Sequence, residues 1–196
     1  MNIDTVIAQI RALCPIFANN VAGAANYASG VRDQVWLPLP AAYVLHLPEE
    51  AEENTSANGL WQIIHERIAV IAVLDTMNIG GTLDIADRRG QACAAYLDTV
   101  RAGLFRAILN WRPDFDPANP ATNREARGIY YVGAEFPADG AFDRARFFYQ
   151  FTFGLDTLVT EIDGWQLPYA PLVDIRGTIT VAPGTAELQF DVPVKP

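Results

Sequence analysis

The chain offers few residues whose type and spacing could do chemistry. It has two histidines, His46 and His65, and two cysteines, Cys14 and Cys93. His65-Glu66-Arg67-Ile68-Ala69 opens like the zinc motif HExxH, but Ala69 stands where the second histidine belongs. The segment also reads as a strand, where positions i and i+4 do not build a metal-binding face. Neither cysteine belongs to a CxxC or Cys/His pattern, so no metal site is expected, and both read as reduced core thiols. The acidic run Glu49-Glu50-Ala51-Glu52-Glu53 lacks the glycine and alternating ligands of a calcium loop and reads as a solvated connector. Asn54-Thr55-Ser56 matches a glycosylation sequon. Met1-Asn2-Ile3-Asp4 has no basic stretch, so no secretory signal is expected to give the sequon meaning.

No G-x-S-x-G nucleophile elbow, dinucleotide fingerprint or phosphate loop occurs. The chain is therefore expected to be no enzyme, with no cofactor and no catalytic residue. What remains is a row of cations. Arg144, Arg146 and Gln150 alternate along one side of a strand, and Arg124 and Arg127 lie just upstream. These five residues are the candidate contacts to another subunit or another protein, and otherwise serve as solvating groups.

The elements that must position them follow from periodicity. Residues 3–14 read as an amphipathic helix with Ile3, Ile7, Ile10 and Cys14 on one stripe and Asp4 as N-cap. Residues 19–33, rich in Ala, Gly and Asn, read as loop, and 35–40 as an extended proline-containing segment. Tyr43 to Leu47 and Leu60 to Thr76 read as strands; the second turns apolar on both faces from Ile68 onward, as in a strand covered on both sides. Residues 84–111 read as the main helix, with Cys93, Leu97, Val100, Leu104, Ile108 and Trp111 on one face and Asp98 and Arg101 on the other.

Residues 113–127 read as a long loop, of a length that is usually functional or disordered. Gly128 to Phe136 reads as a strand with Tyr130, Val132, Ala134 and Phe136 on one face. After a turn at Asp139-Gly140 comes Arg144 to Val159. Its odd positions Phe147, Tyr149, Phe151, Phe153 and Leu155 are apolar, and most even ones polar. The two strands should pair as an antiparallel hairpin. Residues 178–181 and 187–192 read as a second hairpin, or as an arm for a neighbouring subunit. The expected fold class is α+β: a mostly antiparallel sheet with two helices on one face over residues 1–165, and a β-rich extension over 166–196.

Composition bounds the partners. The chain has 196 residues, 51% of them hydrophobic, which excludes wholesale disorder. The longest apolar run, Ile68 to Leu74, is far short of the ~20 residues of a membrane helix, so no membrane is expected. A net charge of −9 argues against nucleic-acid binding. The charge is uneven. Residues 1–60, 61–100, 101–150 and 151–196 carry −4, −2, +1 and −4. Copies with a basic and an acidic side can dock head to tail, and such contacts close into rings when the rotation permits.

Three segments resemble phage tail terminator proteins: Arg101-Ala-Gly-Leu-Phe-Arg-Ala-Ile-Leu-Asn-Trp-Arg-Pro113, Gly128-Ile-Tyr-Tyr-Val-Gly-Ala-Glu135, and Arg144-Ala-Arg-Phe-Phe-Tyr-Gln-Phe-Thr-Phe-Gly-Leu-Asp-Thr157. The family pairs a W-x-P helix end with a YYVG strand and an RA-x-x-x-YQF strand in this order. The likeness covers residues 84–165 well, the N-terminal part by element order, and 166–196 not at all. It implies a structural virion protein made in the bacterial cytoplasm and placed at the tail–neck junction. It implies a homohexameric ring that caps the tail tube protein, stops its polymerisation and meets the neck or head connector protein, with the sheath as a further candidate partner. Genomic DNA would pass through the lumen without specific binding. A head–tail joining component of the same fold, a small-ligand or peptide-binding module and an unrecognised hydrolase are the competing readings.

Overall fold

The computed structural model describes residues 1–57, 59–75, 91–113, 118, 127–137, 142–143, 146–164, 174–179 and 188–193. The chain divides into two compact units, Met1–Glu161 and Ile162–Pro196.

The first unit opens with α1 (Ile3–Leu13), whose Val6, Ile7 and Ile10 are buried. The N-cap is Asn2 rather than Asp4: the Asn2 side chain accepts a hydrogen bond from the Asp4 N–H at 2.9 Å, leaving Asp4 in the first turn, where a carboxylate suits the helix dipole. Residues 19–33, expected as loop, instead form β1 (Val21–Gly23) and α2 (Ala24–Asp33). Composition hid this helix because its face is made of small residues. Gly30 is required there, since a Cβ would meet the Trp36 ring at 2.5 Å.

The acidic connector also differs from expectation. β2 (Ala41–Ala51) carries the chain through Glu49 and Glu50, with a register irregularity between Leu47 and Glu50. β3 (Trp61–Asp75), α3 (Gln91–Ile108), β4 (Tyr130–Glu135), β5 (Phe142–Asp143) and β6 (Arg146–Thr160) follow. The start of the expected main helix at 84, the Asp139-Gly140 turn and nearly all of the 113–127 loop lie outside the described residues.

The sheet order is β1-β2-β3-β6-β4, with β5 also on β6. The β1–β2 pair is parallel and all others are antiparallel. The β4–β6 hairpin pairing holds, but β4 contains a bulge between Tyr131 and Gly133. The extra residue shifts the alternation. Tyr131 and Ala134 therefore pack on the core, while Tyr130, expected to share the face of Ala134, lies on the opposite one.

The sheet is buried on one face along its length and on the other only at one end. On the first face α1 and α3 cover Val70, Leu74, Phe151, Phe153 and Leu155, with Val100, Leu104 and Ile108 of α3 fully buried. The aromatic stripe of β6 belongs to this core. On the second face Tyr27 of α2, together with Trp36, Leu37 and Leu39, covers Tyr43, Ile71, Val73 and Phe148. This explains why β3 is apolar on both sides from Ile68 onward. Beyond that patch the second face is largely polar and is left uncovered by the described residues.

In the second unit the described residues include an antiparallel strand pair, β7 (Asp174–Ile179) with β8 (Leu188–Pro193).

Candidate assembly surface

Strand pairing lines up polar residues across the uncovered part of the second face. One row runs Leu47, Arg67, Gly154, Tyr130; the next runs Glu50, His65, Asp156. Asp156, only 8% exposed, is the hub. Its Oδ1 lies 2.8 Å from His65 Nδ1 and accepts from the Tyr130 hydroxyl at 2.9 Å; its Oδ2 pairs with Arg127 Nε at 2.8 Å. On its other side His65 Nε2 lies 3.0 Å from Glu52 Oε1. The Arg127 guanidinium stacks on the Tyr130 ring, 3.8 Å from its centroid. Gly154 makes room for that ring, because a Cβ there would meet it at 2.6 Å.

The network shifts its members' proton affinities in opposite directions. Hydrogen bonds to Asp156 and then to Glu52 raise the His65 pKa. For Asp156, burial works to raise the pKa, but hydrogen bonds from His65 and Tyr130 and the charge of Arg127 outweigh it and hold the carboxyl below its ordinary range. Burial, then the bond to Asp156, raises the Tyr130 phenol. The result is a fastening across β3, β6 and β4. Glu66, adjacent to His65 in the HExxH-like sequence, points to the other face. It accepts from Thr157 Oγ1 at 2.6 Å and pairs with the Met1 amine. Strand alternation thus separates the two residues that a metal motif would need together. Among the described residues no group of three His, Cys, Asp or Glu side chains is arranged to hold a metal. The Cys14 thiol is buried, which pushes its pKa up and away from reactivity; the Cys93 side chain lies outside what is described.

The candidate residues do not form one patch. Arg127 belongs to the Asp156 network. Arg146 lies at the far end of β6, half-buried, with its guanidinium 5.5 Å from the Trp36 ring centroid. The ten steps along the strand from Arg146 to Asp156 span roughly 33 Å at ~3.3 Å per residue. Gln150 stands between them, its Nε2 3.4 Å from Thr152 Oγ1. It lines a cleft of about 590 Å³ together with Leu47, Glu50, Arg67, Gly133 and Thr152. Arg67 and Glu50 pair within that cleft at 3.2 Å. Arg124 and Arg144 lie outside the described residues. Sequence reasoning did not find the His65–Asp156–Tyr130 constellation. Its only sequence signal was the lone acid Asp156 on the polar side of a strand, and its partners come from strands up to 91 residues away.

The segments carrying the family resemblance meet in space. α3 ends where Asn110 takes a left-handed conformation, φ 61°. The Asn110 N–H donates to the Ile129 carbonyl at 2.7 Å, and the Ile129 N–H donates to the Trp111 carbonyl at 2.8 Å. Gly128 permits this approach, since a Cβ would come within 2.4 Å of the Asn110 carbonyl oxygen. The helix end and the YYVG strand are thus stitched together, and Tyr130 of that strand is fixed by Asp156 of the third segment.

The model of the family "Phage tail terminator protein" matches residues 1–160. The chain belongs to the phage tail terminator family. The match spans nearly all of the first unit. A chain of the solved structure "Virion of native gene transfer agent (GTA) particle" is similar at 16% identity and a TM-score of 0.40, over 79% of this chain and 92% of that one. No curated protein sequence matches. This terminator-family chain is a structural phage tail protein. No helix among the described residues is long and apolar enough to cross a membrane.

Proposed function

We propose that this protein is the tail terminator of its virion: a homohexameric ring that caps the completed tail tube, stops its polymerisation and offers its far surface to the neck or head connector protein. The observation that carries this reading is the family match over residues 1–160. The fold supports it through what a ring subunit needs. It has a rigid sheet braced by the Asp156 network, and sheet edges with exposed apolar residues, Val132 and Phe136, on the β4 side.

In this reading Arg124, Arg127, Arg144, Arg146 and Gln150 contact acidic or polar groups of the adjacent subunit or the tube. Because Arg127, held at Asp156, and Arg146 stand toward opposite ends of β6, they serve two different contacts. Genomic DNA passes the lumen without specific binding, and a channel richer in Asp and Glu than in Arg keeps it from adhering, by repulsion that acts within ~8 Å at physiological salt. The protein acts without catalysis, cofactor or metal, at the tail–neck junction, beside the sheath if the tail has one.

Native mass spectrometry and negative-stain microscopy of the protein with its tail tube test this. A six-fold species, free or on tube ends, supports the reading. Subunits found only at the head side of the neck would favour a head–tail joining role, and a strict monomer that leaves tube growth unchanged would overturn ring and cap together.

A further inference from the structure

Resting on the ring reading, we infer that neighbouring subunits join edge to edge, the outer edge of β2 in one copy against the outer edge of β4 in the next, in antiparallel orientation. The first observation is two open edges. β1 covers β2 only at Ala42–Val44, so from Leu45 to Ala51 β2 has no outer strand neighbour among the described residues. At β4 the edge is closed at Ile129 by Asn110 and Trp111, and from Tyr131 to Glu135 it has no outer neighbour among the described residues. Open edges present unpaired backbone N–H and C=O groups, which a strand of another chain can satisfy.

The second observation is direction and level. β2, β3, β6 and β4 are successively antiparallel, so β2 and β4 run in opposite senses. A copy rotated into the next ring position brings its β2 alongside β4 antiparallel. The pairings also place Leu47 with Tyr130 and, across the bulge, Leu45 with Gly133 in one row, so Leu45–Leu47 of one copy stands level with Tyr130–Gly133 of the next.

The third observation is charge, which decides between partners. At the level of Asp156 the β2 edge carries the exposed carboxylates Glu49, Glu50, Glu52 and Glu53. At the same level the opposite edge carries Arg127, with the exposed Arg112 beside the Trp111–Ile129 contact. Arg127 spends its Nε on Asp156, and a guanidinium has four further N–H donors. Pairing β2 with β2 of another copy would set carboxylates against carboxylates, whereas β2 against β4 sets them against arginine. Unlike edges joined head to tail form a heterologous contact, the kind that closes into rings.

A charge swap tests this. One variant carries Glu49→Arg and Glu53→Arg, the other Arg112→Glu and Arg127→Glu, each checked for a folded circular dichroism spectrum. Each alone meets like charge at every interface and is expected to stay monomeric where the wild type gives its closed oligomer. Mixed one to one, they are expected to restore an oligomer of wild-type subunit number with the variants alternating. Should Arg127→Glu unfold the chain, Leu45→Cys with Val132→Cys reads the same edge. Within one chain those residues are three strand spacings apart, roughly 14 Å, too far for a disulfide, so oxidation can only link neighbours into a covalent ladder. Both charge variants assembling like the wild type, or a closed oligomer without any ladder, would overturn the edge pairing and leave the ring standing. A wild type that forms no closed oligomer, free or on tubes, would instead remove the ring reading on which the pairing rests.

Discussion

Replacing Asp156 by alanine tests whether the network on the uncovered face braces the sheet. The carboxylate is nearly buried and accepts from Tyr130 at 2.9 Å, with His65 Nδ1 at 2.8 Å. A hydrogen bond to a charged acceptor contributes about 1.5–3 kcal/mol. Both donors retain some solvent access, so the low end applies to each, and Asp156→Ala should cost about 3 kcal/mol. The exposed Arg127 enters the sum with nothing, because water takes over its guanidinium. Asp156→Asn keeps an acceptor for one donor and loses the charge, so about half that cost is expected. Urea unfolding at a protein concentration below assembly reads both, as a lower midpoint at unchanged slope. A cost under about 0.5 kcal/mol for Asp156→Ala would refute the reasoning, since it would mean water replaces the carboxylate without penalty.

Further expectations follow from the same contacts. The His65 pKa is raised in the folded state by Asp156 and Glu52, so its contribution is fully present below its ordinary value of about 6.5 and is lost as pH rises through the folded value. Unfolding midpoints of wild type should therefore fall across that window relative to His65→Gln, and parallel curves would contradict it. Asp156 has the opposite sign: its lowered pKa gives stability above its ordinary range that disappears as acid protonates it, a loss that Asp156→Asn should not show. Gly128→Ala should destabilise by about 1–3 kcal/mol, because the new Cβ meets backbone that cannot move aside; an unchanged thermal midpoint would count against the stitched helix end. Leu104→Ala, at a fully buried site between α3 and the sheet, should cost about 2–5 kcal/mol in the same assay.

The parts legible in the sequence were those fixed by local periodicity. The Phe147–Phe153 alternation and the Val100–Leu104–Ile108 stripe each repeat strongly enough to set their buried faces. Asp98 and Arg101, one helical turn apart, do pair, at 2.6 Å. The misreadings came where a local signal was weak or overridden. α2 has almost no apolar stripe and is held by Gly30 and Tyr27 against Trp36, a contact made outside the helix itself. Glu49 and Glu50 look like a connector, yet an edge strand tolerates carboxylates because its outer side is wet. One bulge residue in β4 turned Tyr130 to the opposite face from Ala134, and nothing in the alternation marked it.

The site was harder to read for a related reason. His65, Asp156 and Tyr130 are distant in sequence, and only the β3–β6–β4 register brings them together. The arginines were visible as a row, but a row on paper did not reveal that Arg127 is engaged by Asp156 while Arg146 leans on Trp36. The resemblance motifs fared differently. Asn110-Trp111 and Gly128-Ile129 stood out as short segments and are the residues that join the helix to the sheet.

The most direct test of the central claim is electron microscopy of growing tail tubes with and without this protein. A closed six-fold ring at one tube end, with tube length fixed once the ring is in place, is the predicted result. Tubes that keep lengthening in its presence, with no added density at either end, would contradict it.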